Sequence, residues 1–311
     1  EPGRRYVMHG TLMDKRTGEA LLDGEGRPIT TSVNFVADEP NGVVDVPFVL
    51  TNDLVAGKTM VAFERVERQD VTLALHEDLE DEGQTVTVPS IRTELTDEGA
   101  NHVIVPSGTI TLVDTVTYTN LIPGATYEIR GVVIDKATGE PLQSADGQSL
   151  EASTTFCTDT AEGTAQVHFA VDASLVAGRE IVAFESCSRD GRELAIHANI
   201  EDESQTVYVP TIGTTLTGIK REHEAAATTT LDLIDTVAYR GLQPHVTYRM
   251  TGKIVDSQTG EALLNPDGTE VTSECVFVPE TTVGIVQVPF TFDASQMAGK
   301  SVVCFETLWI A

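Results

Sequence analysis

The sequence is poor in cysteine, in aromatic residues and in positive charge. Its 311 residues include four Cys, one Trp and 20 Lys and Arg against 48 Asp and Glu, which gives a net charge of −28. A surface that binds nucleic acid or anionic lipid must supply positive charge, so both kinds of partner are disfavoured. No apolar run approaches the roughly 20 residues that a helix needs to cross a bilayer, and we predict no membrane insertion.

The few cysteines also argue against metal and redox chemistry. Cys157, Cys187, Cys275 and Cys304 form no C-x-x-C pair, so we predict no metal site and no cofactor. Two pairs lie about thirty residues apart, which leaves an intradomain disulfide open. We favour buried free thiols, because cysteine often behaves as a small core residue.

What the sequence contains instead is one long repeated segment. Glu64, Glu185 and Glu306 are spaced 121 residues apart and end the phrases VAFE, VAFE and VCFE. The same step relates further residues, namely Tyr6, Tyr127 and Tyr248; Gly42, Gly163 and Gly284; His76 and His197; Gln84 and Gln205; Thr93 and Thr214; and Asp114 and Asp235. A repeat of this length is a whole domain, so the chain is a tandem array of one module.

The repeated segment has the pattern of β-structure. Runs such as ITLVDTVTY, TAQVHFAV and EIVAFESC alternate apolar and polar residues, which is the period of half-buried strands. Turn signals such as Pro123-Gly124 and Asp190-Gly191 separate the runs. We therefore predict an all-β fold of immunoglobulin-like sandwiches with seven or eight strands per copy and no long helix.

Two prolines mark the predicted domain boundaries. Pro89 and Pro210 lie in TVTVPSI and TVYVPTI, where one copy runs into the next without a Gly/Ser spacer. Because proline fixes φ and the linker is short, we predict a stiff rod. The predicted domains are 1–88, the C-terminal part of a first copy; 89–209, a complete copy; and 210–311, the N-terminal part of a third. We expect the chain to be a portion of a longer protein.

Recurring polar residues are the candidates for chemistry. His197 lies eight residues before Gln205, and Thr93 lies near the opposite end of the complete copy. These two ends come together if the first and last strands lie side by side. For Glu185, strand position alone favours a carboxylate that faces water, and the alternative is a buried carboxyl with a raised pKa. We interpret the remaining histidines as solvated: His9, His102, His168, His223 and His245.

Several phrases in fixed order resemble a known family. They are D-x-V-x-Y-x-x-L-x-P from Asp114, T-G-E from Thr138, V-A-F-E from Val182 and H-x-x-I-E-D-E-x-Q-T-V from His197. They resemble the VaFE repeats of Gram-positive surface proteins and the Thr–Gln ester-bond domains in stalks of cell-wall-anchored adhesins. The resemblance covers the whole chain. It implies CnaB-like immunoglobulin folds, each locked by an ester that forms autocatalytically between a threonine hydroxyl and a glutamine amide.

The resemblance assigns roles by position. In the complete copy these are the nucleophile Thr93, the electrophile Gln205 and the assisting residues Asp114, Glu185 and His197. The outer copies hold partial sites, namely Glu64, His76 and Gln84 in the first and Thr214, Asp235 and Glu306 in the third. Thr96 stays open as an alternative nucleophile, because Thr93 and Thr96 both recur. Histidine suits the base for the hydroxyl, and a protonated carboxyl suits the donor to the amide carbonyl.

These expectations add up to a structural stalk of a bacterial surface adhesin or a fimbria-like protein, outside the cell and anchored to its wall. The chemistry is single-turnover cross-linking and not that of an enzyme. The partners are adjacent copies in the chain and a host or surface ligand at a tip outside this segment. The alternative is a calcium-stiffened adhesion or ligand-binding array, in which the acidic clusters 80–82 and 201–203 bind calcium near the boundary prolines. Against it, the sequence lacks an Asp-x-Asp-x-Asp-Gly loop.

Overall fold

The computed structural model describes residues 1–311 as a succession of β-strands. In the first copy the strands are β1 (Arg5–Asp14), β2 (Thr30–Val36), β3 (Thr59–Arg68), β4 (Val71–His76) and β5 (Thr85–Thr87). In the middle copy they are β6 (Ser90–Asp97), β7 (Thr109–Thr119), β8 (Thr126–Asp135), β9 (Glu140–Pro141), β10 (Glu151–Cys157), β11 (Gly163–Asp172), β12 (Glu180–Arg189), β13 (Arg192–His197) and β14 (Thr206–Tyr208). In the third they are β15 (Thr211–Gly218), β16 (Leu231–Arg240), β17 (Tyr248–Asp256), β18 (Thr272–Phe277), β19 (Gly284–Phe292) and β20 (Val302–Ile310).

Helical structure is limited to single turns, as the sequence predicts. There are two four-residue helices, α1 (Asn52–Val55) and α2 (Ala173–Val176), and two 3₁₀ turns, Glu82–Gln84 and Glu203–Gln205. None of these helices has the length and apolar character to span a membrane. The prediction of an all-β fold is confirmed.

Residues 89–209 form two antiparallel sheets. One has the order β10-β8-β12-β13, with β14 paired to β12 and β9 paired to β8; the other has the order β11-β7-β6. A cluster of 21 buried residues, drawn from both sheets, fills the space between them. The middle copy thus has nine strands, more than the predicted seven or eight, because β9 and β14 are short additions to the larger sheet.

The first and last strands of the middle copy do not lie side by side. Strand β6 pairs with β7 in the smaller sheet, and β14 pairs with β12 in the larger one. The two strands therefore approach each other across the core from opposite sheets. The loop after β6 also reaches β14, where Val103 pairs in parallel with Tyr208.

Alternation along β6 decides which threonine enters the core. Ile91, Thr93 and Leu95 are buried, whereas Arg92 and Glu94 between them are exposed. Successive side chains of a strand point to opposite faces, so Thr96 belongs to the outward series. Thr93 is the threonine of this strand that the opposing sheet can contact.

The outer copies enclose smaller cores. Ten buried residues form the main cluster of the third copy, and four form that of the first. Residues 42–51 correspond to β11 but form no strand, because no neighbouring strand offers them hydrogen bonds. Only the middle copy therefore surrounds its polar candidates on all sides.

Short junctions connect the copies. Two residues separate β5 from β6, and two separate β14 from β15. The carbonyl of Val88 accepts hydrogen bonds from the Gly57 amide (3.1 Å) and from Asn120 Nδ2 (3.3 Å), and the carbonyl of Val209 accepts one from the Gly178 amide (2.7 Å). Each junction is thus tied to the body of a copy rather than left as a free linker.

The cysteines are free thiols. Cys187 is buried, Cys275 and Cys304 are half-buried, and Cys157 is exposed at the end of β10. The preference for free thiols over disulfides is confirmed. The expectation of burial is wrong for Cys157, which lies on the outward face of its strand.

Candidate cross-linking site

Residues from both sheets of the middle copy converge on one buried site. The smaller sheet supplies Thr93 from β6 and Asp114 from β7; the larger supplies Glu185 from β12, His197 from β13 and Gln205 from the 3₁₀ turn before β14. Thr93 is 5%, Asp114 0%, Glu185 1% and Gln205 0% exposed. His197 lies at the margin, with 19% of its side chain exposed. These values describe a site closed to bulk water.

Thr93 and Gln205 are in direct contact. Gln205 Nε2 donates a hydrogen bond to Thr93 Oγ1 and a longer one, at 3.3 Å, to Asp114 Oδ1. Thr93 Oγ1 in turn donates to Glu185 Oε2 at 3.0 Å. Next to Gln205, Ser204 Oγ donates to the main-chain carbonyl of Thr93 at 3.3 Å. The structure thus brings Thr93, and not Thr96, to the glutamine amide.

The Glu185 carboxyl is buried, contrary to the expectation that it faces water. Strand β12 lies inside its sheet, and the side chain of Glu185 points at the opposing sheet rather than outward. Burial, reinforced by the hydrogen bond and the charge of Asp114, raises the pKa of Glu185 to about 11. At neutral pH, Glu185 is therefore a neutral acid.

Asp114 is the second carboxyl of this pair, and its pKa is also raised overall. Burial raises the pKa of Asp114, whereas its hydrogen bond with Glu185 and the charge of His197 lower it. Asp114 Oδ2 and Glu185 Oε1 have no other hydrogen-bond donor. A single proton on Glu185, donated to Asp114, satisfies both oxygens, because two buried like charges side by side would be far more costly.

The structure reveals a further acidic residue that the repeat pattern alone did not single out. His197 Nε2 lies 2.9 Å from Asp202 Oδ2, and in the first copy His76 Nε2 lies 2.7 Å from Asp81 Oδ2. Asp81 and Asp202 are 121 residues apart, so their recurrence was the signal that could have identified the pair. The aspartate fixes the orientation of the imidazole.

His197 is not hydrogen-bonded to Thr93. It lies directly opposite Glu185 in the β12–β13 ladder, and the recorded partner of its Nε2 is Asp202. The Thr93 hydroxyl donates instead to Glu185. The role of His197 as a base for the hydroxyl therefore stays a prediction, and the hydrogen bond that is present favours Glu185 as the first proton acceptor.

His102 is half-buried, and its interpretation as a solvated side chain is wrong. Its Nδ1 lies 3.0 Å from the carbonyl of Thr206, the residue after Gln205. The Tyr208 amide donates to the His102 carbonyl at 2.7 Å, and the Ile104 amide donates to the Tyr208 carbonyl at 2.8 Å. Residues 102–104 therefore cover the edge of β14 that β12 leaves open. His223 occupies the same repeat position, a recurrence that points to this role.

The outer copies contain fragments of the same arrangement. In the first copy, burial raises the pKa of Glu64, and the amide of Gln84, oriented to satisfy both groups, donates to Glu64 at 3.2 Å. In the third copy, burial and the neighbouring Glu306 raise the pKa of Asp235 to about 8, while Thr214 is exposed on β15. The two recurring carboxyls thus lie together in the two copies that contain both of them, as Asp114 and Glu185 in the middle copy and as Asp235 and Glu306 in the third.

The acidic clusters of the calcium alternative make contacts within the protein. In cluster 201–203, Asp202 binds His197, and Glu203 accepts hydrogen bonds from Lys136 Nζ (3.1 Å) and the Tyr208 hydroxyl (2.9 Å). Three metal-capable side chains come within 4.8 Å of one another elsewhere, at Asp235, Cys304 and Glu306. No observation at clusters 80–82 and 201–203 favours a calcium-stiffened array.

Comparison with known proteins identifies the family. A family model described as "T-Q ester bond containing domain" matches residues 1–88, 89–209 and 210–308. The chain belongs to this family, which confirms the resemblance inferred from the sequence. It is a family of cross-linked domains and not a catalytic enzyme family. No curated protein matches the chain.

Solved structures give weaker likenesses. A bacterial adhesin from Mobiluncus mulieris, containing intramolecular disulfide, isopeptide and ester bond cross-links, is similar in two crystal forms. The identities are 14% and 15% and the TM-scores 0.36 and 0.37, over 71% of this chain and 81% of that chain in both cases. At these values the likeness decides nothing about function.

The raised pKa of Glu185 predicts a pH-dependent stability in a chain that cannot cross-link, such as Thr93→Val. A carboxyl whose pKa is raised by folding stabilises the folded state below its ordinary pKa of 4.5, and this contribution is lost as pH rises toward about 11. Between pH 5 and 8 the free energy of unfolding should fall by up to about 1.4 kcal/mol per pH unit from this group.

The free energy of unfolding is measured at each pH by pulse-labelling hydrogen exchange in urea, and the exchange is followed on peptides from residues 89–209. Adding Glu185→Gln to the Thr93→Val chain should flatten the pH dependence, because the amide does not titrate. Equal slopes in the two chains would show that Glu185 is ionised in the folded state, which would contradict its assignment as a neutral acid.

Proposed function

We propose that residues 89–209 form an autocatalytic ester between Thr93 and Gln205, and that the chain is a segment of the stalk of a bacterial surface adhesin. The observation that carries the proposal is the buried contact between the Thr93 hydroxyl and the Gln205 amide, beside a neutral Glu185. Membership in the family of T-Q ester bond containing domains supports it.

The reaction is an acyl transfer within the folded chain. Thr93 Oγ1 attacks the side-chain carbonyl carbon of Gln205, and the bond from that carbon to Nε2 breaks. The hydroxyl proton ends on the departing nitrogen, which leaves as ammonia, and the acyl group stays on Thr93. The step needs no oxidant, cofactor or metal, and it occurs once, so it is not turnover catalysis.

The carboxyl pair provides a route for the proton. The Thr93 hydroxyl donates to Glu185 Oε2, so Glu185 receives its proton as the attack proceeds and releases its own proton to Asp114. Asp114 Oδ1 lies 3.3 Å from Gln205 Nε2, where it returns a proton to the leaving nitrogen. Both carboxyls finish in the protonation states in which they began.

The His197–Asp202 pair acts on this route through its charge. The charge of His197 lowers the pKa of Asp114, which opposes the effect of burial on that carboxyl. Asp202 keeps the imidazole in place through the 2.9 Å contact to Nε2. With Asp114 ionised, the single proton stays on Glu185, in the state from which the relay starts.

The ester survives only where water is excluded, since hydrolysis would reverse the gain. Thr93, Glu185 and Gln205 are each at most 5% exposed. Residues 102–104 cover the open edge of β14, the strand that follows the acyl-donating Gln205. A site that closes on folding and stays closed favours a stable product over turnover.

The position of the bond suits a load-bearing stalk. Thr93 lies four residues after Pro89 and Gln205 five residues before Pro210, so tension through the chain meets the ester close to both ends of the domain. The bond closes a loop of 112 residues between its two side chains, worth about 4–5 kcal/mol in the chain-entropy picture. In this proposal the adjacent copies continue the stalk outside the cell, with adhesion at a tip beyond this segment.

Intact mass tests the cross-link. The 311-residue chain should weigh about 17 Da less than its sequence, one ammonia lost, because only the middle copy contains both reacting residues. Thr93→Ala should abolish the loss by removing the nucleophile. Thr96→Ala is the matched control and should keep the loss. An unshifted mass for the folded unmodified chain, or a loss that persists in Thr93→Ala, would overturn the assignment.

Substitutions of His197 separate a charge role from a base role. His197→Gln should slow cross-linking by roughly 10²-fold or more, the scale of a lost catalytic group. His197→Lys, which keeps the charge but is no base at neutral pH, should retain a measurable part of the rate. The rates are obtained from the intact mass of samples taken during cell-free synthesis. The control is His168→Gln, because His168 is exposed on β11. Equal and complete loss in both His197 variants would favour His197 as the base.

A further inference from the structure

A glycine lies directly opposite Glu185 in the larger sheet. Gly131 of β8 is the ladder partner of Glu185 of β12. A Cβ at position 131 would lie 2.5 Å from Phe169 Cζ and 3.4 Å from Glu185 Oε1. Non-bonded carbon atoms do not approach so closely, so the ring of Phe169 occupies space that any other residue at 131 would need.

The same pair recurs in the other copies. Gly10 lies opposite Glu64 and Gly252 lies opposite Glu306, each in the corresponding ladder. A Cβ would lie 2.6 Å from Phe48 Cζ at the first glycine and 2.7 Å from Phe290 Cζ at the second. A glycine inside a strand weakens it, and it often marks a site where another group approaches the backbone closely. In all three copies the approaching group is a phenylalanine ring.

The ring reaches this place from the opposite sheet. Phe169 belongs to β11 in the smaller sheet and is 1% exposed, as is Glu185. Its neighbour two residues earlier, Val167, is the ladder partner of Asp114. The phenylalanine therefore crosses the core beside the carboxyl pair, where it takes up space that water would otherwise fill.

Other groups near Glu185 do not replace this cover. Asp114 faces it from β7 and the Thr93 hydroxyl faces it from β6, while His197 lies opposite it on β13 with Asp202 bound to the imidazole. All of these are polar or charged. The Phe169 ring, in contrast, is apolar and shields the carboxyl without offering it a hydrogen bond.

We propose that Gly131 and Phe169 form one positioning unit of the site: the glycine leaves the space for the ring, and the ring keeps water away from the Glu185 carboxyl. The proposal rests on the proposed ester chemistry for its catalytic consequence. The shielding itself is independent of whether the ester forms.

The first experiment measures the shielding alone. In a Thr93→Val chain with ¹³C-labelled glutamate, the side-chain carboxyl signal of Glu185, assigned with Glu185→Gln, is followed against pH. Phe169→Leu should lower the pKa of Glu185 by about one unit or more, because a smaller side chain admits water. Phe156→Leu, a matched change of a half-buried ring that packs on Tyr118 and Tyr127, should leave it unchanged. An unchanged titration in Phe169→Leu would overturn the proposal, whatever the mass of the unmodified chain.

The second experiment measures the rate of ammonia loss during cell-free synthesis. Gly131→Ala and Phe169→Leu should each slow cross-linking about tenfold or more, and in Phe169→Leu the slowing should grow as pH rises toward the lowered pKa of Glu185. The double variant Gly131→Ala/Phe169→Leu should recover part of the rate lost in Gly131→Ala, because the shorter side chain makes room for the added methyl group. Phe156→Leu should keep the rate of the unmodified chain.

Two results would contradict the unit. One is a rate in Phe169→Leu that equals that of the unmodified chain at every pH. The other is an equal, pH-independent slowing in Phe169→Leu and Phe156→Leu, which would reduce the ring to general core packing. An unmodified chain that never loses ammonia while Phe169→Leu still shifts the Glu185 titration would overturn the ester and leave the shielding established.

Discussion

Two carboxyl groups, Asp114 and Glu185, lie against each other in the core of the middle copy, and the arrangement around them follows from the cost of burying them. Two buried charges side by side would cost several kcal/mol, so one proton stays with the pair. Burial holds that proton on Glu185, whose pKa rises to about 11. Because both sheets must close to bury the pair, the site is assembled only when the domain has folded.

The proposed bond lies between the sheets rather than within one. Thr93 belongs to the smaller sheet, and Gln205 leads into a strand of the larger sheet. Hydrogen-bonded ladders hold the strands of each sheet together, whereas apolar packing holds the two sheets to each other. A covalent link across the core therefore reinforces a contact that otherwise rests on side-chain packing and a few side-chain hydrogen bonds. Such a link leaves the ladders untouched, since neither side chain takes part in them.

Repeat spacing predicted most of the site residues, because it identifies recurring polar residues without any knowledge of the fold. It pointed to Thr93, Gln205 and Glu185, which the structure brings together. It could not show that Glu185 points inward, since β12 is buried on both faces and its apolar residues do not mark one side. The alternation around Thr93 was readable, but its partner strand lies in the opposite sheet. Asp202 and Gly131 also recur, yet an aspartate in an acidic turn and a glycine in a strand attract attention only once their neighbours are known.

Peptide mapping tests the central claim most directly. Trypsin cleavage after Arg92, Arg130, Arg192 and Lys220 releases Thr93 in peptide 93–130 and Gln205 in peptide 193–220. Tandem mass spectrometry of the digest should find these two peptides joined, at the sum of their masses less about 17 Da, with fragment ions that place the link at Thr93 and Gln205. Two separate peptides of unmodified mass, or a link placed at Thr96, would contradict the proposed ester.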